Sequence, residues 1–303
     1  MSHEIILHHY DTSPFSEKPR LLFGLRGVTW RSVIQPTIMP KPDLVPLTGG
    51  YRRAPVMQIG ADIFCDSQVI LAEIERRAGT AVDGVAWAVN LWADRVFFQS
   101  SVAVIFGEIG ASVPRAFIED REKLMGRPFD VAAMKAAGAP MRGQWRAQAG
   151  WIDAALAGGR PFLAGEAAGI ADFAAYMNVW FMVSFAPHIG ETLLVDLPAL
   201  AAWRERVKAI GHGVRSEMTT AEALEIARAA EPGSEISHDP ADPSGLAPGA
   251  AVTVGADDYG RDPIPGRLVA ANRERVVIER RDDSLGRLHV HFPRAGYILA
   301  AAA

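Results

Sequence analysis

Apolar and polar positions alternate in short runs over the first 80 residues and then give way to helical periods. Ile5-Ile6-Leu7-His8-His9-Tyr10 predicts a strand, residues 14–26 a helix closed by Gly27, and residues 28–34 a second strand. A loop carrying Pro36, Pro40, Pro42 and Pro46 follows, then a turn at Gly49-Gly50. Residues 56–59 and 62–65 form a hairpin around Gly60-Ala61. Residues 67–78 place Ile70, Leu71 and Ile74 on one helix face, and Gly79 ends the helix.

From 81 to about 231 the strand signals vanish. Ala-rich amphipathic segments at 82–109, 130–157, 171–186, 198–211 and 219–230 predict a helical bundle. Residues 232–248, rich in Pro, Gly, Ser and Asp, predict a linker. The period then changes to two, with candidate strands at 251–254, 267–271, 275–280, 287–292 and 297–299. Five short strands in residues 249–303 predict a small all-β, barrel-like domain. The expected organisation is therefore 1–80, an α/β domain; 81–231, all helical; 232–248, linker; and 249–303, β.

Composition narrows the chemistry. The 303 residues carry a net charge of −4 with acidic and basic groups interspersed, which argues against a nucleic-acid partner. One cysteine, Cys65, excludes an intrachain disulfide and fits a reducing compartment. It reads as a small buried hydrophobe. The most apolar stretch, 82–106, carries Asn90, Asp94, Arg95 and Gln99 and reads as a buried amphipathic helix, not a membrane span. No basic and apolar leader is visible at the start, so a soluble cytoplasmic protein is expected. His289 and His291 share a strand face but lack a carboxylate or thiolate partner in the sequence, so they are expected to be exposed and no metal is expected.

Three segments carry chemistry. Tyr10-Asp11-Thr12-Ser13-Pro14-Phe15-Ser16 spans the first strand–helix junction, where unpaired N–H groups favour an anion such as a thiolate. Ser13 before Pro14 is equally an ordinary N-cap. Arg52-Arg53-Ala54-Pro55-Val56 places a proline at a strand start, where a cis bond would turn the Ala54 backbone toward an extended ligand. Asp66-Ser67 opens a helix directly after a strand. There Ser67 can bind a ligand carboxylate and Asp66 a ligand ammonium, or the two can simply cap the helix.

In this order, over about residues 4–230, the three segments resemble the glutathione transferase family, in particular its serine-type bacterial members. The run from Tyr51 to Ser67 looks like the family's cis-proline strand and γ-glutamyl turn, and Arg160 to Phe173 like its helix-capping motif, with Gly169 where Ser or Thr is usual. The resemblance implies a thioredoxin-like N-terminal domain and an all-α C-terminal bundle, with the β domain as an addition. It implies glutathione as substrate, a small electrophilic molecule as acceptor, a homodimer and a role in detoxification. Ala54, before the cis Pro55 of the glutathione site, would then pair through its backbone with the cysteinyl part of glutathione. Asp66 and Ser67 would hold its γ-glutamyl end, and Lys41 and Arg53 its glycine carboxylate. Ser13, with Tyr10 as rival and Ser16 third, would activate the thiol. Trp92, Phe97, Phe98, Phe106, Tyr176, Trp180 and Met182 are available to wall the acceptor pocket. Two other readings share these residues: a glutathione-binding or scaffolding protein without turnover that works through its β domain, and a glutathione-dependent isomerase or dehalogenase.

Overall fold

The computed structural model describes residues 4–233 and 236–302. The first domain runs β1 (Ile5–His9), α1 (Pro14–Leu25), β2 (Thr29–Ile34), α2 (Val45–Thr48), β3 (Val56–Ile59), β4 (Asp62–Cys65) and α3 (Ser67–Arg77). α1 starts at Pro14 and runs through Pro19, so the Phe15 carbonyl has no N–H four residues on to accept. Ten helices and strands of the middle of the chain follow: α4 (Gly84–Trp92), α5 (Phe98–Ile109), α6 (Arg115–Met125), α7 (Val131–Ala136), α8 (Gly138–Leu156), α9 (Ile170–Phe185), α10 (Pro187–Leu194), α11 (Pro198–Ala209), β5 (Val214–Glu217) and α12 (Thr220–Arg228). A π-helical turn, Ala93–Phe97, joins α4 to α5. The last strands are β6 (Ala251–Ala256), β7 (Ile264–Ala271), β8 (Arg275–Asp282), β9 (Gly286–Pro293) and β10 (Tyr297–Ala301).

Two expectations need correction. The segment 81–231 is not all helical: β5 pairs in parallel with β2, and α12 packs back on the first domain. All four residues of β5 are exposed, so no alternation marks it. α6 and α10 also stand where no helix was expected; α6 is mostly polar with only Asp120 buried, which blurs its period.

All ten strands form one sheet, in the order β10-β6-β7-β8-β9-β4-β3-β1-β2-β5. The five C-terminal strands are present as expected. Their sheet stays open because β9 pairs in parallel with β4, matching His289, Val290 and His291 to Asp62, Ile63 and Phe64. The described part of 232–248 is tied down as well, the Gly233 N–H donating to Asp62 at 2.8 Å and the Asp239 N–H to the Ala271 carbonyl at 2.9 Å.

Strand alternation distributes the core. Leu7, Met57 and Phe64 face α1, α3 and the bundle. Val56, Ile63 and Cys65 face the other way and share one cluster with Val254, Leu268, Ile278, Val290, Phe292 and Tyr297. The C-terminal strands therefore have no private core. A buried ion cluster reinforces the join: Glu73 of α3 accepts from Arg275 of β8 at 3.1 Å and from Arg76 at 2.6 Å, and these cations hold its carboxyl down at about 2 against the opposing effect of burial. His291 is buried, stacks on Phe64 at 4.3 Å and bonds Asp62 at 2.9 Å, so the histidine pair is not the exposed pair expected.

On the α12 side of the sheet, the Gln58 amide donates to the Gly60 and Ala223 carbonyls, which turns its oxygen toward His8 Nε2 at 2.9 Å. His8 Nδ1 lies 3.2 Å from the Gln35 amide nitrogen, which can only donate. The pattern fits the neutral Nε2–H imidazole, and burial pushes His8 down to about 4.

Truncation of Phe292 to alanine is expected to cost about 3–5 kcal/mol. Because the core is shared, the N-terminal and C-terminal strands should still unfold in one transition; two separate denaturant transitions would contradict the shared core. The histidines set a second expectation. With a folded value near 4 and an unfolded one near 6.5, His8 contributes its full stability above pH 6.5. That contribution, about 3 kcal/mol, is lost as pH falls from 6.5 toward 4. His9, held at about 3 mainly by burial, adds in the same direction. Urea midpoints should drop between pH 7 and pH 4.5, and an unchanged midpoint would refute the neutral assignment.

Candidate active site

α3 begins where β4 ends, and Asp66 makes the corner. It is the one described non-glycine residue with positive φ, at 97°, a backbone region that costs on the order of 1–3 kcal/mol and clusters at functional sites. Its Oδ1 accepts the Gln68 N–H at 2.8 Å, capping α3. The Ala54–Pro55 bond is cis, as expected from its place before β3.

Arg53, Ala54, Pro55, Asp66 and Ser67 converge on one cavity, which Phe15, Leu91, Asp94 and Arg95 also line. Tyr51 and Gln68 line it too, and the rest of the wall, Asp258, Tyr259 and Ala295 to Tyr297, comes from the C-terminal strands and their loops. The cavity measures about 60 Å³, against the several hundred typical of small-molecule sites. It is small because the 257–260 turn is seated in it. Arg53 donates to Asp258 at 2.6 Å and stacks 3.9 Å from the Tyr259 ring centroid. Arg95 pairs with Asp257. The Gly260 N–H donates to the Leu124 carbonyl at 2.7 Å, so close that a β-carbon there would lie 2.7 Å from the Leu124 side chain. The left-handed φ of 57° also favours glycine here.

Ser13, Tyr10 and Lys41 do not line this cavity. Ser13 is buried and caps α1, its Oγ accepting the Ser16 N–H at 3.2 Å; no acceptor for its own proton is recorded among the described residues. Lys41 is buried, donates to the Arg52 carbonyl at 2.9 Å and lies 5.9 Å from the Tyr10 ring centroid. Burial, with Arg121 and Arg52 nearby, pushes it down to about 8. Of the aromatics and methionine expected around an acceptor, Phe97, Tyr176 and Met182 are core, and none of that set reaches the cavity. Cys65 is fully buried and its thiol is pushed well up, which removes it from chemistry.

Several site residues escaped the sequence reading. Lys18, fully buried, donates to Asn90 at 2.9 Å and to both Asp94 oxygens at 2.7 and 2.8 Å, using all three protons. Burial pushes the Asp94 carboxyl up against the pull of Lys18. The π-helical turn brings Asp94 and Arg95 together onto the cavity. Polar residues inside the apolar stretch 82–106 were the available signal for this group. Nothing local in the sequence announced Asp258, Tyr259 or Tyr297. No group of His, Cys, Asp or Glu suited to a metal occurs among the described residues.

The helical domain carries a structural anchor of its own. Gly169 caps α9 without a side chain, while Asp172 accepts from the N–H groups of Gly169 at 3.0 Å and Leu163 at 2.9 Å and from the Trp203 indole at 2.7 Å.

Comparison with known proteins bears on this architecture. Residues 7–81 match the N-terminal domain of glutathione S-transferase and residues 119–206 its C-terminal domain. A GST-like protein from Pseudomonas syringae is 35% identical over 100% of both chains, with a TM-score of 0.82. The chain belongs to the glutathione S-transferase family. FzlA from C. crescentus is 25% identical over 68% of this chain and 88% of that one, TM-score 0.51. A Tau class glutathione S-transferase from mango shares the fold alone, at 17% identity over 74% of this chain and 97% of that one, TM-score 0.54. No curated protein sequence matches significantly. The full-length match to the Pseudomonas protein extends through the C-terminal strands, whereas the other two leave about a quarter or more of this transferase-family chain uncovered.

Lys18→Met should leave the buried Asp94 carboxyl without its cation, bonded only by the Asn90 amide, and cost about 3–5 kcal/mol, whereas Lys18→Met with Asp94→Leu should recover most of that loss. Chemical denaturation of the two variants checks this, and equal losses would show that the pair is not what holds α1 to the π-helical turn.

Proposed function

We propose that this protein binds glutathione in the cavity between β3, α3 and the C-terminal strands and activates its thiol for attack on a small electrophilic molecule. The observation that carries the reading is the convergence of Arg53, Ala54 and Pro55 with Asp66 and Ser67 on one cavity at the N-terminal end of α3. The chemistry of the set suits a γ-glutamyl tripeptide. Asp66 accepts an ammonium, Ser67 and the first turn of α3 accept a carboxylate, and Arg53 pairs with the carboxylate at the far end. With the 257–260 turn seated, about 60 Å³ cannot hold a tripeptide, so binding requires that turn to yield.

Ser13 is the proposed activating residue. It lies outside the cavity in the closed form, but its oxygen already accepts the Ser16 N–H as the α1 cap, and its proton is then available to a sulfur anion once the 257–260 turn has yielded. Lowering a thiol by about 2 units needs about 2.7 kcal/mol, within reach of one charge-assisted hydrogen bond and a helix end. Tyr10 is the alternative donor. A second reading, a glutathione-binding protein without turnover, is favoured by the small cavity and by the occupied guanidinium of Arg53. Further proposals from family habit are a cytoplasmic homodimer and a detoxifying role. Among the described residues no helix is long and apolar enough to cross a membrane. A dimer could not use the β4 edge, which β9 fills.

Ultraviolet titration of bound glutathione tests the assignment. Wild type should hold a thiolate at neutral pH, and Ser13→Ala should raise the thiol by about 1–2 units, with Tyr10→Phe silent. The reverse pattern would transfer the role to Tyr10. Bound glutathione that remains a thiol in wild type would favour the reading without turnover.

A further inference from the structure

Asp66 has a second partner, and it comes from the added domain. While Oδ1 accepts the Gln68 N–H, Oδ2 accepts the Tyr297 hydroxyl at 2.9 Å. Tyr297 opens β10, is 8% exposed and packs on Phe292 at 5.5 Å between ring centroids. Its hydroxyl also lies 3.3 Å from that of Tyr51. A phenol has one proton to give. The carboxylate is charged and nearer, so the Tyr297 proton goes to Asp66 and Tyr51 donates to the Tyr297 oxygen. Burial and the Asp66 carboxylate both push Tyr297 well above its ordinary value, which keeps it a donor.

Two donors on different oxygens fix the plane of the Asp66 carboxylate. Tyr51, Asp66 and Tyr297 all line the cavity. We propose that Tyr297 is a positioning residue of the glutathione site: through the chain Tyr51–Tyr297–Asp66, the C-terminal domain presents the Asp66 carboxylate to the α-ammonium of the γ-glutamyl group. This rests on the glutathione reading above. It assigns the added domain a part in recognition and predicts where that part is felt, at the amino group of the ligand and not at its sulfur or its glycine end.

The test uses the full-length chain with two ligands, glutathione and the analogue whose α-amino group is replaced by hydrogen, with dissociation constants from calorimetry. Tyr297→Phe should weaken glutathione roughly tenfold and the analogue less than about twofold. Tyr51→Phe, which keeps the Tyr297–Asp66 bond, should give a smaller loss with the same selectivity, and it carries the test alone if Tyr297→Phe does not fold. Equal losses for both ligands, or none, in the folded variants would overturn the proposal and leave Tyr297 a packing residue. Failure of wild type to bind glutathione at millimolar concentration would instead overturn the glutathione reading, and this inference with it.

Discussion

The parallel pairing of β9 with β4 is the constraint on which the rest of the structure depends. Strands this far apart in sequence can pair in parallel only after a long crossover, and here the whole helical domain and linker lie between them. The pairing fills an edge that would otherwise present unpaired N–H and C=O groups. It also sets which way every side chain on β9 points. Val290, opposite Ile63, enters the core shared with Cys65 and Val56. His291, opposite Phe64, turns to the other face, where it stacks on that ring and bonds Asp62. A slip of one residue would exchange the two and bury a histidine among aliphatic groups.

From that register the site follows. β9 continues into the turn at 294–296, and the turn delivers Tyr297 to Asp66. The neighbouring loop between β6 and β7 delivers Asp257, Asp258 and Tyr259 to Arg95 and Arg53. The Asp257 N–H donates to the Gly296 carbonyl at 3.0 Å, so one backbone bond ties the two loops where they meet. Domain attachment and site closure are therefore one structural event, since the same strands that share the hydrophobic core carry the loops that fill the cavity.

The fold was legible where one period dominates: the strand–helix alternation to Arg77, the Ala-rich bundle and the five C-terminal strands. The parts of the site that read correctly as neighbours, Arg53 to Pro55 and Asp66 with Ser67, lie on a single hairpin and the helix after it, where local sequence fixes spatial proximity. What did not read were relations across long separations. Neither the Tyr297–Asp66 bond nor the Arg53–Asp258 pair has a local signature, because the partners stand 231 and 205 positions apart in the chain. β5 failed for a different reason: its one strand partner is β2 and its side-chain contacts are polar, Arg215 reaching Asp11 and the Trp30 ring, so with all four residues exposed no hydrophobic period records it. The histidines were misjudged because their carboxylate partner, Asp62, stands on another strand.

Arg53 is where the two uses of the added domain meet. A buried guanidinium without a counter-charge would cost several kcal/mol, so in the closed state Asp258 and Tyr259 must satisfy it. On the glutathione reading the ligand brings a carboxylate of its own. Binding then exchanges one charge-assisted bond for another and leaves no stage at which the cation must stand unpaired in a dry site. The released Asp258 is already 29% exposed on its side chain and regains water at little cost. Tyr297 faces no such exchange, because its bond to Asp66 leaves the carboxylate's other lone pairs for an ammonium. The added domain can thus give up the 257–260 contact to admit a ligand while the Tyr297 contact stays in place to orient it, which divides closure and recognition between two loops of the same sheet.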